Sequence, residues 1–102
     1  MEENTVPGAQ SAILRPSGDV VADSEADLRS KLRVLVASGI RKLTIDLSNV
    51  QMMDSAGLGL LIAAHNSLRK NGGELTVIHA THDLLELFRT MRMHQHFSIS
   101  GE

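Results

Sequence analysis

Between Leu43 and Ile78 the apolar residues change their spacing twice, and that leaves few folds open to the chain. Leu43, Ile45 and Leu47 alternate with Thr44, Asp46 and Ser48, as in a strand with one buried face and one that tolerates polar groups. From about Ser55 to Lys70, Leu58, Leu61, Ile62, His65 and Leu68 fall on one helical stripe, and Asn71-Gly72-Gly73 stops it, with Arg69 and Lys70 suited to the negative end of the dipole. Leu75-Thr76-Val77-Ile78 is more uniformly apolar and is expected in the middle of a sheet. Strand, helix and strand in that order predict parallel strands joined by a right-handed crossover.

The flanks extend the alternation. Ser11-Ala12-Ile13-Leu14-Arg15 reads as a short strand whose end Pro16 demotes to an edge, and the turn Ser17-Gly18-Asp19 leads into Val20-Val21, so a hairpin at a sheet edge is expected. Asp23 or Ser24 makes an N-cap, Glu25 and Asp27 lie in the first turn that follows, and Leu28, Leu32, Leu35 and Val36 share a face of a helix that ends at Gly39. Asp83 to Met93 predicts a third helix with Leu84, Leu87, Phe88 and Met91 inward, and Phe97 to Ser100 a short closing strand. Residues 1–10 are polar and hold Pro7 and Gly8, which predicts a flexible tail before a single domain over 11–102. With 102 residues there is chain enough for one core. The fold class expected is α/β: two layers, a mixed sheet of four to five strands with parallel central strands, and helices mostly on one face.

Composition removes several functions. A net charge of -2 and an aromatic content of Phe88 and Phe97 alone offer neither the basic stripe nor the stacking rings of a nucleic-acid binder. Without cysteine there is no disulfide framework and no thiolate metal site. His79 with His82, and His94 with His96, lack carboxylates at a spacing that would complete a site, so neither metal nor cofactor is expected. Arg41-Lys42, Arg69-Lys70 and Arg89 with Arg92 read as solvated helix and loop ends. Met1 to Gly8 has no basic and apolar leader pattern, and no apolar run is long enough to span a bilayer, so a cytoplasmic chain without membrane contact is expected. Among the methionines, Met91 is expected in the core, while Met53 could face either the core or a partner.

Chemistry concentrates in Met52-Met53-Asp54-Ser55-Ala56-Gly57-Leu58-Gly59-Leu60, which joins a strand end to a helix start. Backbone N–H groups there lack partners and the dipole is positive, so Asp54 or Ser55 can cap. Capping does not account for Gly57 and Gly59, each of which costs a helix about 1 kcal/mol relative to alanine. Either the helix packs tightly on the sheet there, or a partner docks close to the backbone.

The segment Asp54-Ser55-Ala56-Gly57-Leu58-Gly59-Leu60-Leu61 resembles the signature of STAS domains of the anti-sigma factor antagonist type. Gly18 upstream of Leu28, the Leu43 to Leu47 strand before Asp54, the return Gly72-Gly73-Glu74-Leu75, and Leu87-Phe88 followed by Met91 also sit where that family has equivalents, so the resemblance covers roughly residues 11 to 100. It implies a two-layer STAS fold and no catalytic residue. It further implies that Ser55 accepts phosphate from an ATP-dependent serine kinase that is also the anti-sigma factor. Unphosphorylated chain would bind that kinase and free a sigma factor, phosphorylation would release it, and a serine phosphatase would reset the cycle. Asp54, Ala56, Gly57 and Leu58, with the turn Gly18, Asp19, Val20 and Val21, would lie near the partner, and the chain would be a monomer or weak dimer. Val21 stands where the family often carries an acid, a role that Asp19 or Asp23 could fill; Ala56 leaves Ser55 as the sole hydroxyl of the signature.

Two other readings compete. Met53-Asp54-Ser55-Ala56-Gly57 partly matches the Gly-x-Ser-x-Gly nucleophile elbow, with His65, His79 and His82 as candidate bases, but Met53 replaces the first glycine. Alternatively, a STAS subunit could scaffold a stressosome, a chemotaxis-linked complex or a lipid-transport ATPase; an intact Asp54-Ser55 favours the phosphorylation switch.

Overall fold

The computed structural model describes residues 2–6, 10–19 and 25–101, with the backbone path alone for 2–6 and 25. Five strands and three helices follow in the order β1 (Glu2–Val6), β2 (Ser11–Arg15), α1 (Glu25–Ala37), β3 (Lys42–Asp46), α2 (Ser55–Lys70), β4 (Glu74–Ala80), α3 (His82–Thr90) and β5 (Ser98–Gly101), with a short 3-10 turn at Met93–Gln95 before β5. The sheet runs β1-β2-β3-β4-β5; β1 is antiparallel to β2, and the four strands from β2 to β5 are parallel. Each parallel pair is joined through a helix, as the change of apolar spacing requires.

One face of the sheet is covered. Ala12 and Leu14 of β2, Leu43 and Ile45 of β3, and Leu75 and Val77 of β4 are buried in a single cluster with Leu28, Leu32 and Leu35 of α1, Leu61 and Leu68 of α2, and Phe88 of α3. The residues between them, Ile13, Thr44 and Thr76, look the other way and are partly open. That is the two-layer arrangement expected, and α2 occupies the span read from its stripe and caps.

Two expectations need correction. Residues 2–6 are not a loose tail: they pair with β2 in register from Glu2↔Arg15 to Val6↔Ser11. Glu-Glu-Asn-Thr-Val carries no apolar alternation because an edge strand held by backbone bonds needs none, and charges suit an edge. Glu2–Val6 thus forms an edge hairpin with β2; the hairpin expected through Val20 and Val21 lies outside the described residues, as do Asp23 and Ser24. The second concerns α3, which ends at Thr90, so that Met91 is 55% exposed and Met93 takes the core place. The Thr90 hydroxyl donates back to the Glu86 carbonyl at 2.9 Å, and Arg92 adopts a left-handed φ of 58°, which turns the chain and sends Met93 inward. Met53 is in the core.

The α2–β4 connection shows how tightly the backbone is drawn. Gly72 has a φ of 75°, the left-handed geometry that favours glycine, and the Gly73 N–H closes the helix on the Leu68 carbonyl at 2.8 Å. A Cβ on Gly73 would overlap the Arg41 carbonyl oxygen, which accepts from the Glu74 N–H at 2.7 Å. Backbone cannot step aside as a side chain can. Gly73→Ala is expected to destabilise the domain by about 1–3 kcal/mol, read as a lower urea midpoint at unchanged slope.

Candidate functional site

The strand-to-helix loop before α2 is built on pegs. Leu47, Val50 and Met53 are buried at every third position, while Ser48, Asn49, Gln51 and Met52 between them are exposed. The Leu47 N–H donates to Ile78 of β4 at 3.0 Å and the Val50 N–H to Leu47 at 2.9 Å. Asp19 fastens the loop from outside: one of its carboxylate oxygens accepts from the N–H groups of both Gln51 and Met52 at 3.1 Å. The structure thus brings the Gly18–Asp19 turn to the loop that precedes Ser55, although the two are far apart in sequence.

Asp54 is the N-cap of α2. Its backbone is extended, its carboxylate accepts from the Gly57 N–H at 3.1 Å, and its carbonyl accepts the first helical bond from Leu58 at 2.9 Å. Ser55 is the first helical residue and is exposed. The cap is therefore the aspartate, and the serine hydroxyl is not needed to start the helix. Ala56 is half-buried beside it.

Gly57 and Leu58, expected at the partner face, are turned inward; Leu58 is 8% exposed and belongs to the core. The helical period accounts for this: Leu58 shares its face with Leu61 and Leu68, which pack on the sheet. Gly59 behaves in the opposite way. It is exposed, and a Cβ placed on it would meet nothing within 4 Å. Close packing inside this chain does not require it to be glycine.

Behind the loop stands a feature the sequence alone did not reveal. Asp46, read as part of a polar sheet face, is 2% exposed. One carboxylate oxygen accepts from the Ser48 N–H at 2.9 Å and from His79 Nδ1 at 3.0 Å; the other accepts from Arg15 Nε at 3.0 Å. Burial by itself pushes the carboxyl upward, but the Ser48 N–H and hydroxyl, the His79 ring and the Arg15 guanidinium together outweigh it and bring the pKa from 3.8 down to about 2. His79 reaches Asp46 from a bulge in β4 at a left-handed φ of 58°, a conformation costing on the order of 1–3 kcal/mol for a non-glycine residue. The carboxylate ties the ends of β2, β3 and β4 together where the loop departs. Alternation placed Asp46 on the polar face; only the β4 bulge, which no spacing signals, delivers the histidine that covers it.

The candidate bases of a serine nucleophile are engaged elsewhere. His79 is held by Asp46, His82 Nε2 lies 3.1 Å from Glu86, and His65 is ten residues along α2 from Ser55, about 15 Å by the helical rise. His65 is buried against His96 and Phe97, with ring centroids at 6.0 and 5.5 Å, and burial pushes its pKa below the usual 6.5. Among the described residues no three His, Cys, Asp or Glu side chains converge as a metal site would need, and no helix is long and apolar enough to cross a membrane.

The chain belongs to the STAS domain family, whose model matches residues 2–101. Among curated proteins it is similar to the anti-sigma-B factor antagonist of Bacillus subtilis, 35% identical over 72 residues that cover 71% of this chain and 65% of that protein. It is likewise similar to the anti-sigma-B factor antagonist of Listeria monocytogenes, 37% identical over 73 residues covering 71% and 63%. The chain thus matches just under two thirds of the length of these relatives. Among solved structures, the anti-sigma factor antagonist SpoIIAA in its unphosphorylated form superposes with a TM-score of 0.77 at 16% identity, covering 99% of this chain and 86% of that one. The Bacillus cell fate determinant SpoIIAA in the phosphorylated form gives 0.74 at 15% identity, covering 96% and 89%. These likenesses show the fold.

Two consequences can be measured. Asp46 has a folded pKa below its unfolded one, so its contribution is complete above about pH 4 and is lost as the pH falls toward 2. Asp46→Asn should therefore be less stable than wild type at neutral pH, by about 2 kcal/mol, and the gap should close in acid-dependent denaturation curves between pH 4 and 2. Gly59→Ala should raise stability by up to about 1 kcal/mol in thermal melts, because the helix gains alanine's propensity and nothing is struck.

Proposed function

We propose that this chain is a cytoplasmic anti-sigma factor antagonist that binds an anti-sigma factor serine kinase while Ser55 carries a free hydroxyl, and lets go once the kinase has phosphorylated Ser55 from ATP. A serine phosphatase restores the binding form. The chain is the substrate of this chemistry, not its catalyst. The curated relatives, named as anti-sigma-B factor antagonists, support the role.

The observation that carries the reading is the division of labour between Asp54 and Ser55. Because the Asp54 carboxylate caps the helix, esterifying the exposed Ser55 hydroxyl removes no hydrogen bond on which α2 depends. Phosphate adds about -1.5 to -2 charge, and the N-terminal N–H groups and dipole of α2 tolerate it. SpoIIAA has been solved in both the unphosphorylated and the phosphorylated form, with this fold in each. The fold stays while the surface changes.

Inside a docked face the same dianion, next to the Asp54 carboxylate, meets desolvation and like-charge repulsion of several kcal/mol, and about 3 kcal/mol already changes affinity by more than about a hundredfold. Asp19, Ala56 and the exposed Met52 surround Ser55 or its loop and complete the partner face. Gly18 adjoins Asp19 in that turn, while Val20 and Val21, expected beside it from the sequence, lie outside the described residues.

The test is to incubate the chain with a candidate ATP-dependent anti-sigma kinase and map phosphate by mass spectrometry. Phosphate is expected on Ser55 and absent in Ser55→Ala, which should bind the kinase persistently, while Ser55→Asp should bind about a hundredfold more weakly. Phosphate at another residue, or undiminished binding of Ser55→Asp, overturns the reading.

A further inference from the structure

The sheet is guarded at one edge and not at the other. The strand at the first edge, β1, opens with Glu2 and Glu3, and charges of this kind keep a further strand from pairing there. At the opposite edge β5 reads Ser98-Ile99-Ser100-Gly101, with neither charge nor proline. One side of β5 pairs with β4, and among the described residues no strand pairs with the other. A bare edge of this kind is a row of backbone donors and acceptors open to another strand.

The side chains at the edge select which strand fits. Ile99 is matched to Val77 of β4 and so turns to the helix-covered face, where it is half-buried against the core, while Ser98 and Ser100 turn the other way and are exposed. Helix α3 closes over the end of the strand: a Cβ on Gly101 would stand 2.7 Å from Cδ1 of the half-buried Leu85. One apolar side chain flanked by two hydroxyls on the opposite face is a pattern that complements itself. A second copy turned about a two-fold axis perpendicular to the sheet at Ile99 runs its β5 antiparallel to the first, sets Ile99 against Ile99 on the helix side, and lays Ser98 of each copy opposite Ser100 of the other. The charges of α3 agree with the same rotation. Asp83 lies in its first turn and Arg89 in its last, so the axis brings the acidic end of one α3 beside the basic end of its mate.

We propose that β5 is the contact through which two copies of this chain associate, edge to edge and antiparallel, into one continuous sheet. The strand offers four residues from each copy, so the contact is at the small end of protein interfaces and the pair forms and separates with concentration. The loops that carry Ser55 leave from the carboxyl ends of the strands, and in the antiparallel pair they open at opposite ends of the joined sheet, away from the joint.

Sedimentation velocity over a concentration series reads the association directly, and the register supplies variants on the exposed face that leave the core of each copy alone. Ser98→Lys with Ser100→Lys sets like charges opposite one another twice across the axis and should weaken dimerisation about tenfold. Ser98→Lys with Ser100→Glu sets lysine against glutamate at the same two places and should restore it. Unchanged urea midpoints at a concentration where the wild type is monomeric confirm that the fold is kept in both. The chain has no cysteine, so Ile99→Cys places a unique thiol on the axis, directly opposite its counterpart at about 5 Å, whereas Ser98→Cys meets its own counterpart only on the diagonal, at about 7–8 Å. Under mild oxidation Ile99→Cys should give a covalent dimer, and Ser98→Cys should give one far more slowly. A chain that is monomeric at every concentration, whether its edge stays bare or takes a strand of a different protein, overturns the proposal. So does a dimer that the double lysine variant leaves intact, or a faster crosslink through Ser98→Cys than through Ile99→Cys.

Discussion

The carboxylate of Asp46 is the point from which the site hangs. It is almost wholly removed from water, and a charge so placed is tolerated only where donors surround it. Arg15, Ser48 and His79 provide them from the ends of β2 and β4 and from the start of the loop. Were the carboxylate lost, three strand ends would be left with unmatched donors at the edge from which the loop sets out. The left-handed His79 is tolerated for the same reason: its ring closes the network that burial of Asp46 demands.

From that edge the chain is passed hand to hand to the helix. The buried pegs Leu47, Val50 and Met53 set the path, Asp19 holds two N–H groups from the side, and Asp54 begins α2. Every one of these supports is a side chain other than Ser55. The serine is carried by the assembly without being part of what holds it together, and that separation lets its chemistry vary independently of the fold.

Much of this was legible in the residues. The alternation at 43–47 and the stripe from Ser55 to Lys70 located β3 and α2 because both bury one face, and burial is what writes periodicity into a sequence. Glu2–Val6 wrote none, since an edge strand is held by backbone bonds that any residue supplies. Met91 and Met93 exchanged places because the end of α3 is decided by a left-handed Arg92, a residue with no preference for that geometry. At the site, the Asp54-Ser55 step was readable as the capped start of a helix, but that Asp54 caps and Ser55 stays exposed came only from the structure, and the inward turn of Gly57 and Leu58 required the helix phase. The Asp46 network was not readable at all, because it joins residues 15, 46, 48 and 79 through a bulge that leaves no signal in spacing.

The pegged loop also has a consequence for timing. Nothing between β3 and α2 has to refold, isomerise or unlatch when a group is attached to the first residue of the helix. Under the proposed switch such a protein would need no slow internal clock: its state would be written in a covalent bond and would outlast thermal fluctuation.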